Sequence, residues 1–97
     1  MHATIRRYTA NPADVPELMK RINEGNIGSL ISSIPGCVAY YVVDAGDGAL
    51  ATVSVFEDQA GADASTARAG EWVKENIGSD ISINPPEVTS GEVIIKV

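Results

Sequence analysis

The sequence is poor in the residue types that most often announce a function. Among its 97 residues there is one cysteine and one histidine, so an internal disulfide is impossible and a histidine-based metal cluster or proton relay has too few members. A lone Cys37 agrees with a reducing compartment. Aromatic residues amount to 5%, with one Trp, one Phe and three Tyr. Seven Lys and Arg stand against thirteen Asp and Glu, a formal net charge of −6. The basic residues are scattered rather than gathered into a stripe, which argues against nucleic acid as a partner. No apolar run is long enough to cross a bilayer, and the opening Met1-His2-Ala3-Thr4-Ile5-Arg6-Arg7 lacks the apolar middle of a signal peptide. A soluble, cytoplasmic protein with no membrane partner is the expectation.

What is present is ordinary globular composition, 44% apolar and 21% charged, with no low-complexity stretch. The length suits one domain across residues 1–97. Residues 2 to 9 are rich in β-branched and aromatic types and stop at Asn11-Pro12, which reads as a first strand. Asp14-Val15-Pro16-Glu17 has the form of a capping box, after which Val15, Leu18, Met19 and Ile22 recur at helical spacing. Gly25 and Gly28 interrupt that helix, and a kink or break is expected near Asn26 before Pro35-Gly36 ends it. Residues 37 to 43 and Leu50 to Phe56 are short apolar runs joined through Asp44-Ala45-Gly46-Asp47-Gly48, the signal of an antiparallel hairpin. Asp58 can cap a second helix with Ala62, Ala69, Trp72, Val73 and Ile77 facing inward. A loop after Gly78, ending at Asn84-Pro85-Pro86, leads to a last strand from Val88 to Val97. The order is βαββαβ, an α+β ferredoxin-like arrangement with a four-stranded antiparallel sheet and two helices on one face.

Pairing the middle strands about Asp47-Gly48 sets Val38, Tyr40, Val42, Ala51, Val53 and Val55 on one side. Cys37, Ala39, Tyr41, Val43, Leu50, Thr52, Ser54 and Phe56 fall on the other. Both sides are mainly apolar, whereas a solvated sheet face is polar. The uncovered face is therefore expected to pack on a second copy about a two-fold axis.

The element order, the Pro35-Gly36-Cys37 entry into the second strand and the Val53-Ser54-Val55-Phe56-Glu57-Asp58 passage into the second helix resemble the antibiotic biosynthesis monooxygenase-like branch of the dimeric α/β barrel superfamily. The resemblance implies that two sheets close into a barrel between protomers and that each protomer holds a pocket between sheet and helices. Some members oxygenate aromatic polyketides such as anthrones with neither flavin nor metal, and others degrade haem. The absence of a His at the end of the second helix counts against haem cleavage here. No cofactor is expected.

Within that frame Arg7 or Arg6, adjacent in a strand and so facing opposite ways, would hold an enolate or phenolate. Tyr41 and Trp72 would position a ring, and Asn76 or Asn23 would donate to a carbonyl or to oxygen. Thr52 and Ser54 are placed beside Tyr41 by the pairing above. The competing reading is plainer: Trp72 as a core anchor, the Arg residues paired with Glu87 or Glu92, Cys37 as a small core residue, His2 idle at the chain end. On that reading the protein is a non-catalytic homodimeric module.

Overall fold

The computed structural model describes residues 1–78 and 80–97; residue 79, in the loop expected after Gly78, lies outside the described residues. Strand β1 (His2–Thr9) is followed by a short 3-10 turn (Pro12–Asp14), helix α1 (Val15–Glu24) and helix α2 (Ile27–Ser32). Then come the hairpin of β2 (Cys37–Gly46) and β3 (Ala49–Phe56), helix α3 (Gln59–Asn76) and β4 (Glu87–Glu92). The four strands form one antiparallel sheet in the order β2-β3-β1-β4. This is the ferredoxin-like α+β arrangement, with the crossovers carrying their helices over one face of the sheet.

The helical segment breaks where the sequence places it. Asn26 takes a left-handed backbone conformation, φ 57°, which Asn tolerates better than most residues. The capping box does not form. Asn11 caps the 3-10 turn by accepting from the Ala13 N–H at 3.0 Å, and that turn runs straight into α1. Asp14 consequently sits in a helical conformation with no orphan N–H to serve, and Glu17 accepts instead from Arg21 at 3.1 Å. Arg21 also reaches Asp80, joining α1 to the turn after α3. This hydrogen bond holds the Asp80 carboxyl below its ordinary range and, with that to Glu17, lifts the Arg21 guanidinium. At an exposed site such a pair adds little to stability. Asp58 does cap α3, accepting from the Gly61 N–H at 2.9 Å.

The core lies between the helices and the sheet. Phe56 and Ile31 are fully buried, with Leu18, Ala62, Leu50, Ile27, Trp72 and Ala69 around them. Burying each of the larger side chains contributes about 1.5–3 kcal/mol.

The hairpin differs from its expected register, and the difference moves the site. The turn itself is Asp47-Gly48, both at positive φ, with Gly46 opposite Ala49, as a two-residue turn of the primed type requires. One step further the register slips, because Asp44 lies opposite Leu50 and Ala45 is extra. Gly46 at φ 87° and the Asp44 side chain accepting from the Gly46 N–H at 3.0 Å build this bulge. From there to Ala39 every side chain of β2 faces the opposite way from the expected pairing. Tyr40 and Val42 stand beside Ser54 and Thr52 on the helix side, and Tyr41 and Val43 beside Val53 and Ala51 on the open side. Grouping Tyr41 with Thr52 and Ser54 is thus corrected, and Tyr40 takes its place.

The last strand is also shorter than the sequence suggests. Strand β4 ends at Glu92, which lies opposite His2 at the start of β1. One more bond, from the Val93 N–H to the Met1 carbonyl at 2.9 Å, closes the ladder. Ile94, Ile95 and Val97 are 89%, 77% and 115% exposed.

Candidate functional site

Strand alternation decides which arginine faces the core. Thr4, Arg6 and Tyr8 point toward the helices, and Ala3, Ile5 and Arg7 toward the open side. Arg6 is 2% exposed. Opposite it on β3 stands Thr52, whose Oγ1 accepts from Nη1 at 3.4 Å. Above it on α3 are Ser65 and Thr66, which accept from Nη2 at 3.0 and 2.9 Å. The hydroxyls of Ser65 and Thr66 donate in turn to the Ala62 carbonyl at 2.7 and 3.3 Å, which leaves their lone pairs for the guanidinium. Nε has no partner.

Among the described residues no carboxylate pairs with this charge: its hydrogen-bond partners are neutral hydroxyls. Burial pulls the guanidinium below its ordinary value, opposed by the nearby Tyr8 and Tyr40. The same burial raises the Tyr8 hydroxyl and pushes that of Tyr40 up to about 12, although the Arg6 charge draws both down. Both phenols stay protonated at neutral pH and available as donors.

Three cavities adjoin along this interior face. The middle one, about 50 Å³, is lined by Tyr8, Val42, Leu50, Thr52, Trp72 and neighbouring apolar side chains. It shares Tyr8, Ala69, Val73 and Ile83 with an open cleft of about 340 Å³ that holds Arg6, Thr66, Lys74 and Asn84. On its other side it shares Ile22, Ile27 and Val42 with a second cleft of about 340 Å³ that presents Asn23, Asn26, Ser29 and Tyr40. The result is an apolar trough with amides and a phenol at one end and cations at the other. None of the three linings includes an acidic residue or a histidine. Among the described residues no group of His, Cys, Asp and Glu could hold a metal ion.

Trp72 is 6% exposed and forms part of the trough wall. Its Nε1 donates to the Gly25 carbonyl at 3.0 Å, so the indole N–H already closes the end of α1. Gly25 is there because the ring lies against it. A Cβ would fall 2.6 Å from the Trp72 ring and 2.8 Å from the Arg21 carbonyl oxygen. Gly25→Ala is therefore expected to destabilise the fold by about 1–3 kcal/mol through overpacking; chemical denaturation would show it as a lower midpoint at unchanged slope.

Of the other residues proposed from the sequence, Arg7, Tyr41 and Asn76 lie outside these cavities. Arg7 is on the open face, 3.9 Å from Glu87. Tyr41 is 61% exposed on that same face. Asn76 is half-buried with its amide donating to the Trp72 carbonyl at 3.0 Å, and it lines none of the three cavities. Asn23 lines the cleft beside Tyr40. The structure thus brings together Arg6, Trp72, Thr52 and Asn23, and adds Tyr8, Tyr40, Ser65 and Thr66. The Asp44 to Gly46 turn was the available signal for Tyr40. His2 donates to or accepts from Ser90 at 2.9 Å at the sheet edge, away from the trough.

The sequence matches no protein-family model and no curated protein. Solved structures do match over nearly the whole chain. NE2512 from Nitrosomonas europaea, a protein of unknown function, superposes with a TM-score of 0.75 at 20% identity, covering 99% of this chain and 91% of that one. A provisionally assigned antibiotic biosynthesis monooxygenase from Deinococcus radiodurans gives 0.71 at 12% identity, covering 100% and 96%. SnoaB from Streptomyces nogalater, a cofactor-independent oxygenase, gives 0.65 at 15% identity, covering 99% and 95%. The fold is the one these proteins share. At such identities the likeness establishes architecture alone. Among the described residues no helix is long and apolar enough to cross a membrane.

Proposed function

We propose that this protein binds a small flat aromatic molecule of the polyketide or quinol class in the trough and oxygenates it with no flavin or metal. The observation that carries the reading is the buried Arg6 guanidinium, unaccompanied by any carboxylate, at the end of an apolar cleft. A cation held there by hydroxyls stabilises an enolate as it forms, and water exclusion strengthens the effect. The overall change for an anthrone is a ring CH₂ plus O₂ giving C=O plus H₂O. The enolate supplies electrons to oxygen, the resulting peroxide loses water, and the substrate carbon ends oxidised. Tyr8, Tyr40 and Asn23 would donate to ring oxygens, with Trp72 as the flat wall. That SnoaB, of the same fold, is a cofactor-independent oxygenase supports the reading. The test is oxygen uptake with an anthrone. The intact protein is expected to consume oxygen stoichiometrically with substrate, and Arg6→Met to be slower on the order of 10²-fold. No uptake by the intact protein with a range of anthrones would overturn the assignment.

A second reading is favoured by one dimension. The middle cavity is only about 50 Å³, small beside the 300–1,000 Å³ typical of ligand sites, and a non-catalytic homodimeric module would need no more. Under either reading we propose a homodimer through the open sheet face, where Ile5, Tyr41 and Val43 are 38%, 61% and 44% exposed. Native mass spectrometry of freshly purified protein separates the two readings. A dimer carrying a few hundred daltons of aromatic ligand supports the first, and a ligand-free dimer inert toward anthrones supports the second.

A further inference from the structure

We infer that the Arg6 site takes its aromatic ligand as a single-oxygen anion, a phenolate or enolate, and selects against carboxylates. The inference rests on the aromatic-binding reading above and not on any reaction with oxygen. A guanidinium has five N–H donors, and carboxylates and phosphates prefer to take two adjacent ones at once. Each two-pronged edge of the group, Nε with Nη2 or Nη1 with Nη2, includes Nη2. In this protein Nη2 is committed on both sides, to Ser65 at 3.0 Å and to Thr66 at 2.9 Å. These two hydroxyls are fixed as acceptors because their own protons go to the Ala62 carbonyl. Nη1 donates to Thr52. What remains are Nε and one Nη1 proton, which lie on different edges, so no intact fork is offered.

The charge is nevertheless uncompensated. The partners of Arg6 are all neutral, the cleft contains a second cation in Lys74, and none of the three cavity linings includes an acidic residue. In a chain of net charge −6 this end of the trough is locally positive. Tyr8 and Tyr40, the nearby phenols, are held protonated by burial and do not neutralise it. A flat ring in the trough with one ionised oxygen toward Arg6 satisfies the charge through one contact. A carboxylate in the same place would leave one of its oxygens unpaired in an apolar wall.

The test uses two probes of the same ring system, 2-naphthol and 2-naphthoate, with the intact protein. The ultraviolet spectrum of naphthol reports its ionisation. Bound naphthol is expected to ionise at least one pH unit below free naphthol, which means at least tenfold tighter binding of the anion than of the neutral form. Naphthoate is expected to bind at least tenfold more weakly than naphtholate. Arg6→Met should abolish the shift and Arg6→Lys should keep part of it. Thr66→Val, a conservative change at an exposed position, should free one Nη2 proton, restore a fork and raise naphthoate affinity several-fold. Naphthol that does not bind, that ionises at its free value when bound, or that binds no better as an anion than naphthoate overturns the inference. An unshifted naphthol with anthrone-dependent oxygen uptake would overturn this inference alone. A shifted naphthol with no oxygen uptake would overturn the oxygenase reading alone.

Discussion

Trp72→Ala is expected to lower the melting temperature by roughly 20–40 °C. Truncating a buried Trp costs about 3–5 kcal/mol, and each kcal/mol moves a domain of this size by about 4–8 °C. The geometry puts this substitution at the upper end. Trp72 is 6% exposed, fills the space that Gly25 leaves open, and its N–H satisfies the Gly25 carbonyl at the end of α1. Its removal opens a cavity and orphans an acceptor at once. Since domain stabilities are about 5–15 kcal/mol, any loss of oxygen uptake in this variant would report unfolding as readily as chemistry. Trp72→Phe separates the two. It keeps a ring against the trough and removes the indole N–H, which is engaged with Gly25 rather than presented to the cavity. Phe should therefore cost about 1–3 kcal/mol and retain activity. A folded Trp72→Phe protein that binds no aromatic would show that the indole N–H has a role the hydrogen bond to Gly25 does not reveal.

The elements were legible in the sequence because their signals are local. Asp58 caps α3, Asn26 breaks the first helical segment, and Asp47-Gly48 forms the turn. The site was less legible because it depends on which way strands face. One extra residue at Ala45 flips β2 from Asp44 back to Ala39, and its cause, an Asx turn from Asp44 to Gly46, is a few residues away from the side chains it moves. Arg6 and Arg7 could not be told apart for a related reason. In most sheets the apolar alternation identifies the core side, but here the open side carries Ala3, Ile5, Val53 and Val55 while the helix side carries Thr4, Arg6, Thr52 and Ser54. Polarity is thus inverted on the two central strands. The helix face is polar where it surrounds the buried guanidinium, and the open face is apolar where none of the described residues covers it. Ser65 and Thr66 were not legible as partners of Arg6, because they lie on α3, 59 and 60 residues away. The end of β4 is not legible because the Val93-Ile94-Ile95 pattern suits a strand, whereas the ladder with β1 stops at the His2 and Glu92 pair with one further bond from Val93.

That inverted polarity makes Val53→Asp the sharpest test of the proposed dimer. Val53 lies on the open face at the middle of the sheet, with Ile5 opposite it on β1 and Tyr41 opposite it on β2. Four strands spaced about 4.8 Å apart and roughly 20 Å long give a footprint of about 400 Å² per protomer, below the roughly 800 Å² of accessible surface that each partner buries in a standard interface. Side-chain relief enlarges that area, and the exposed Ile94, Ile95 and Val97 offer more apolar surface just beyond β4. An association of that size has little to spare. In a two-fold interface each substitution enters twice, and two carboxylates desolvated against one another's apolar wall cost several kcal/mol. The dissociation constant is expected to rise on the order of 10³-fold, so that a protein sedimenting as a dimer at micromolar concentration becomes a monomer. Arg7→Glu should act on the same face through charge, setting a second carboxylate beside Glu87, which lies 3.9 Å from Arg7. A Val53→Asp protein that still sediments as a tight dimer would move the interface elsewhere and leave the apolar open face as a surface for some other partner.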